Sequence, residues 1–266
     1  MERLLMLHLQ SCGCSAEVLL NGMPLAYCGV AGGQACLAVH EYTLTGRNRI
    51  ELIAAGPLPG QAAQTQSRAC TTPTFARARL LLAHRGQAAS DPNVRVLATL
   101  AWAAPEGKAY DAPVKQQQDV DLPVNFPRWR WLDAPPIAVN AGVHRQVLAF
   151  VQELALELAR GNADPLIAAA KLRFDELALA YQLAAAEGVQ RFRDELQRLY
   201  AAKALKIIPP AAEDLVLRPV LDGRLIECLA STGGPALRTR NDDASVGNQA
   251  WPLRLAMVEG RIYVLR

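Results

Sequence analysis

The chain has 266 residues, 51% hydrophobic and 20% charged, with 28 Lys plus Arg against 25 Asp plus Glu and a formal net charge of +3. That length and apolar content supply one large core or two ordinary ones and exclude general disorder. No apolar run approaches the roughly 18 residues of a membrane-spanning helix. Residues 1–139 carry 12 basic and 10 acidic side chains, 140–205 carry 8 and 8, and 206–266 carry 8 and 7. Both signs are interspersed, so no basic stripe exists to displace phosphate counterions, and a nucleic-acid partner is not expected. The nearest approach is the short cluster Arg128, Trp129, Arg130, Trp131. The opening stretch is a poor secretory signal, because Glu2 offsets Arg3 and the apolar run Leu4 to Leu9 is short and broken by His8. The expectation is a soluble, cytoplasmic protein.

The first half carries the marks of strands: short Val, Leu and Thr-rich segments punctuated by Gly, Pro and Asn. Arg3–Leu9 and Ala16–Leu20 are predicted strands, the second closed by Asn21-Gly22, the strongest short hairpin signal. Cys36–Leu44 and Arg49–Ile53 follow, with 45–48 predicted as a turn. Pro57–Pro73 is predicted as a loop. Thr74–Ala83 alternates, with Arg77 and Arg79 on one side and Ala76, Ala78, Leu80 and Leu82 on the other, the pattern of a half-buried strand. Val94–Trp102 is the next strand. Residues 103–135 hold five prolines, with Pro136 directly after, and are predicted as extended surface chain ending in a linker.

At Asn140 the hydrophobic period changes from two to three or four. Val147, Leu148, Val151, Leu154, Ala155 and Leu158 mark an amphipathic helix that starts at Asn140 and stops at Gly161. Asp164-Pro165 opens a second helix along Ile167, Ala170, Phe174, Leu177 and Tyr181 to Gly188, and Val189, Phe192, Leu196, Leu199 and Tyr200 line a third. The tail returns to strands. Leu215–Leu221 and Arg224–Ala230 form a hairpin on Asp222-Gly223, Ala236–Arg240 is a lone strand, 241–248 is a polar loop, and Trp251–Val258 pairs with Arg261–Leu265 through Glu259-Gly260. The fold class predicted is therefore two domains: an all-β sandwich or jelly roll over 1–135, then an α+β domain over 138–266 with three helices packed on a curved antiparallel sheet. No β-α-β alternation points to a doubly wound nucleotide site.

Val18 to Leu25, with Asn21-Gly22, and then Val39 to Leu52, with Gly46, Asn48 and Ile50, resemble a stretch of galactose-binding-like jelly rolls over about 35 residues. The resemblance implies that these residues build turns and core. Residues 140–266, three helices and then hairpins ending at Trp251 to Leu265, resemble the cone-shaped NTF2-like domains, which enclose a pocket. Enzymes of that family use an acid/base pair such as Asp–His, and only His144 is present in this segment.

No nucleophile elbow, zinc-protease, phosphate-loop or dinucleotide motif occurs. The six cysteines read as buried thiols, with a disulfide and a metal site from Cys12, Cys14, Cys36 and His40 as alternatives. His8 and His84 read as sheet residues, and His144 as a satisfied core histidine. His40 and Glu41 are placed on opposite faces of a strand. The carboxylate pairs Asp119/Asp121 and Asp242/Asp243 read as solvated loop charge rather than a glycosidase or calcium pair.

Phe126, Trp129 and Trp131 are the most distinctive cluster in a chain only 6% aromatic. They read either as a stacking platform or as a plug at the domain junction. Trp129, Trp131, Arg238, Trp251 and Arg254 are the candidate ligand-binding residues, and Tyr181, Asp222 and Glu227 the least poor acid/base candidates. No metal and no cofactor are expected. The function predicted is that of a bacterial-type, non-catalytic binding protein for a protein partner or a small ligand held in the C-terminal domain. The rivals are an NTF2-like isomerase, cyclase or dehydratase, a carbohydrate-binding module, and a structural assembly subunit or homo-oligomer.

Overall fold

The computed structural model describes residues 3–70, 72–104, 107–240 and 248–266. Antiparallel strands dominate it and helices are few. The chain divides into two compact units, Met1–Arg128 and Trp129–Arg266. The break falls before the tryptophan pair, whereas the sequence reading carried the first domain to residue 135.

In the first unit, β1 (Arg3–Cys12), β4 (Gly32–Ala38), β7 (Phe75–His84) and β8 (Arg95–Ala103) form one antiparallel sheet in the order β4–β1–β7–β8. β2 (Ala16–Leu20), β3 (Met23–Cys28), β5 (Gly46–Ala54) and β10 (Val114–Leu122) form a second, in the order β10–β5–β2–β3. Alternation aims Leu5, Leu7 and Leu9 of β1 and Ala76, Ala78 and Leu80 of β7 to one buried side, and the second sheet buries Val18, Leu20, Ile50 and Leu52. The two sheets meet through β1 against β2 and β3, and β5 against β7 and β8. Each large apolar side chain so buried is worth about 1.5–3 kcal/mol. The β2–β3 turn has φ of 55° at Asn21 and 78° at Gly22, the left-handed pair that matches the strand twist.

Several predicted elements are corrected here. The predicted turn at 45–48 is largely strand, because β5 begins at Gly46. Asn48 is buried and fully bonded: Oδ1 accepts from Leu44 N (2.7 Å) and Asn21 Nδ2 (2.8 Å), while Nδ2 donates to the carbonyls of Leu44 and Gly46 (2.8 Å each). His40 and Glu41 do not sit on a strand. They lie in a 3-10 turn, His40–Tyr42, with both side chains buried. The Leu5 amide donates to His40 Nε2 (2.8 Å), which fixes the ring proton on Nδ1.

The predicted loop 57–73 contains β6 (Gln66–Ala69), paired with β9 (Ala109–Ala112). The predicted surface chain 103–135 contains β9 and β10. The β10 alternation is weak, with only Val114, Val120 and Leu122 as apolar residues on its less exposed side, and its pairing is with β5. On β7 the outer face is not bare, since Leu81 and Ala83 are covered by Val94 and Ala89.

In the second unit, α1 (Ala141–Ala159) starts as predicted. Asn140 Oδ1 accepts from the amides of Gly142 (2.9 Å) and Val143 (3.0 Å), satisfying two otherwise orphaned donors. Gly161, at φ 78°, ends the turn beyond it. The predicted second helix is broken at Ala170 into α2 (Asp164–Ala169) and α3 (Lys171–Tyr181), and α4 (Glu187–Ala201) follows. Asp164 lies inside α2 rather than capping it.

β11 (Leu215–Val220), β12 (Leu225–Ala230), β15 (Arg254–Val258) and β16 (Arg261–Val264) form an antiparallel sheet in that order. β13 (Leu237–Arg238) pairs with β14 (Ala250–Trp251), so the predicted strand over 251–258 is interrupted at Pro252. One sheet face carries Leu215, Cys228, Leu255 and Val264 into a single core with Val147, Val151, Leu154 and Leu158 of α1. His144 binds the Leu215 carbonyl through Nε2 (3.0 Å). Full burial pushes the Cys228 thiol well above its ordinary range.

Candidate functional site

The opposite face of the β11–β16 sheet is polar at its centre. Register places Arg218 opposite Glu227, and Glu227 opposite Arg254, so three adjacent strands line up Arg, Glu and Arg. Arg218 Nε donates to Glu227 Oε2 (2.8 Å), and Arg254 Nη2 lies 2.9 Å from Glu227 Oε1. Both carboxylate oxygens are engaged, and the Glu227 and Arg254 side chains are 8% exposed. Glu227 is thus tied into the sheet from both sides, and Arg254 is one of its two partners.

A second buried pair lies nearby in sequence terms only at one end. Arg266 Nη1 donates to Glu176 Oε2 (2.6 Å), and Glu176 Oε1 accepts the Arg130 amide (2.6 Å). The Arg266 guanidinium stands over the Trp129 ring (5.7 Å) and the Trp131 ring (6.0 Å). Both tryptophans are fully buried, so neither offers an open face for a sugar. Their large apolar area and their negative ring faces instead solvate a buried cation, worth on the order of 1–2 kcal/mol per contact.

These interactions position the chain that follows. Arg224 Nη1 donates to the Ala134 carbonyl (2.8 Å), and the Ile137 amide donates to the Gly223 carbonyl (2.9 Å). Gly223 has φ +80°, and a Cβ there would meet the Ile137 carbonyl oxygen at 3.2 Å. The segment 130–135, so pinned, forms one wall of a cleft of about 610 Å³. Ala168, Ala169 and Leu172 form a second wall, and Ala256, Val258, Tyr263 and Leu265 a third. The walls are mostly apolar. Arg130 and Lys171 supply cationic groups, Asp133 a carboxylate, and Tyr263 a phenol. Lys171 is shared with Asp175 (3.3 Å), and Arg130 is exposed.

None of the candidate ligand-binding or acid/base residues named from sequence lines this cleft. Trp251 packs half-buried against the helical core, and Arg238 donates to Thr232 Oγ1 (3.1 Å). Tyr181 ends α3, and Asp222 is exposed in the β11–β12 turn. Tyr181, Asp222 and Glu227 are therefore not brought into one constellation. Asp242 and Asp243 lie outside the described residues. Asp119 pairs with Arg49 across β10 and β5 (2.9 Å), which holds its carboxyl below the usual range. All six cysteines are free, and no group of three or more His, Cys, Asp or Glu capable of holding a metal occurs among the described residues. No described helix is long and apolar enough to cross a membrane.

The cleft residues were missed because Arg130, Lys171 and Tyr263 come from three distant segments. Arg130 alone had drawn notice, for its charge and not for its position. In comparisons with known proteins, the chain matches no family model, no curated protein and no solved structure.

Proposed function

We propose that the protein is a non-catalytic binding protein whose C-terminal unit holds a small amphipathic molecule with an acidic head group. The observation that carries this reading is the cleft of about 610 Å³, apolar on three walls with the Arg130 guanidinium at its edge. Its size falls in the range of small-ligand sites, and its few polar groups would orient one end of the ligand. In this reading the first unit is a jelly-roll module that serves as a scaffold. The two four-stranded sheets with non-sequential strand orders support that assignment. The second unit is an NTF2-like cone, supported by helices followed by a four-stranded antiparallel sheet with one face on α1.

The test is titration with anilinonaphthalene sulfonate, an aromatic anion of suitable size. Saturable fluorescence enhancement is expected, lost in Ala168→Phe, which fills the cleft from an exposed position, and weakened in Arg130→Gln. Enhancement unchanged in both variants would refute the assignment.

A further inference from the structure

The first unit carries a second cavity of different chemistry. Register sets Cys36, His8 and Arg79 directly opposite one another on β4, β1 and β7, and Gln34 opposite Gln10 one step along. These five side chains, with Ala35, Ala89 and Ser90, line about 410 Å³ on the outer face of the sheet. Unlike the second unit's row, this one has a cation and no anion. Arg79 Nη2 meets His8 Nδ1 (3.0 Å) and the Ala89 carbonyl (3.3 Å), and its Nε is buried without a hydrogen-bond partner among the described residues. No described carboxylate lies within ion-pair distance of it.

An arginine can only donate, so His8 Nδ1 accepts and the ring is neutral with its proton on Nε2. Burial, and then Arg79 itself, push the His8 pKa below its ordinary value, with the Gln34 amide opposing in part. The cavity therefore presents one fixed positive charge, two amides, a hydroxyl and a neutral imidazole. A concave site with a single uncompensated guanidinium concentrates anions, and a planar carboxylate matches the guanidinium fork. One cation flanked by neutral groups leaves a dianion half neutralised.

We propose that this cavity binds a small polar carboxylate, its carboxyl group on Arg79 and its hydroxyl or amino groups on Gln10, Gln34 and Ser90. Cys36, exposed at the edge strand, reports occupancy. The test measures iodoacetamide alkylation of Cys36 in the full chain by peptide mass spectrometry, with glutamate, gluconate and inorganic phosphate as probes. Cys12, exposed on the same strand system but outside the cavity, is the internal control.

Glutamate or gluconate is expected to slow Cys36 alkylation saturably and to leave Cys12 unchanged. Arg79→Gln should weaken that protection more than tenfold, while Arg47→Gln, exposed on the other sheet of the same unit, should not alter it. Because Arg79 also tethers Ala89, Ser90→Trp provides a second arm: it fills the cavity with the arginine in place and should abolish protection. Equal slowing of Cys12, protection that survives both Arg79→Gln and Ser90→Trp, or no protection beyond that of chloride at equal ionic strength would overturn the proposal. Phosphate protecting better than both carboxylates would overturn the ligand class.

Discussion

Replacing Glu227 by Gln keeps the shape of the side chain and removes its charge from between Arg218 and Arg254. At an effective dielectric near 20, two unit charges about 4 Å apart attract by roughly 4 kcal/mol. Glu227 makes two such contacts, one with the 8% exposed Arg254 and one with the 17% exposed Arg218. Water takes up part of the loss at Arg218 and little of it at Arg254. Breaking a buried pair by removing one partner typically costs about 3–5 kcal/mol, because the surviving charges stay desolvated. The expected loss is at the lower end, about 3 kcal/mol. Urea unfolding followed by tryptophan emission reads the correct unit, since Trp129, Trp131 and Trp251 lie in it and only Trp102 lies in the other. A companion variant with Arg218→Met, Glu227→Leu and Arg254→Met together should recover most of the loss, because no charge is left stranded. A Glu227→Gln effect below about 1 kcal/mol would place the row with ordinary surface ion pairs and refute the claim that the sheet centre is closed to water.

Two further outcomes follow from the first unit. Asn48→Ala strands the Leu44 amide, the carbonyls of Leu44 and Gly46 and the Asn21 amide at a buried turn, and should lower stability by about 2–3 kcal/mol; an unchanged denaturation midpoint would remove Asn48 from its assigned role. His8 has a pKa below its usual 6.5, so the unfolded chain takes up that proton first as pH falls. Its contribution to stability is complete above pH 6.5 and is lost as pH drops through the folded-state value. Melting temperature should therefore fall on acidification less steeply in His8→Gln than in the wild type, and parallel slopes would contradict the assignment. The charged and titratable groups facing His8 are Arg79 on β7 and Cys36 on β4, with Arg77 one step further along the same face of β7.

What the sequence disclosed depended on how local the cause was. The Asn21-Gly22 hairpin and the Asn140 cap are set within a few residues, and both can be read from the chain alone. β10 was harder to read, because in VKQQQDVDL only Val114, Val120 and Leu122 mark an inner side and two glutamines interrupt it; its partner is the distant β5. Asn48 looked like a turn residue for its chemistry, and it does bond a turn, but from inside a strand. The tryptophan pair, read from sequence as either a platform or a plug, is buried. Its partner, Arg266, is more than a hundred residues away, and nothing in the local pattern links them.

The two units contain the same device put to different uses. Each aligns three polar side chains across neighbouring strands, at positions that local periodicity would assign to an ordinary sheet face. Register alone decides what they become. In the second unit the middle residue is a carboxylate, both arginines turn toward it, and the row closes on itself as part of the sheet. In the first unit the middle residue is a histidine whose pKa is pushed down by burial and then by the arginine it touches, and the positive charge is left facing a cavity. Exchanging the central residues would test this reasoning at its root: a carboxylate at position 8 should satisfy Arg79 from within and compete with any external anion. A side chain is committed to structure when its charge is answered inside the fold, and is available for recognition when it is not.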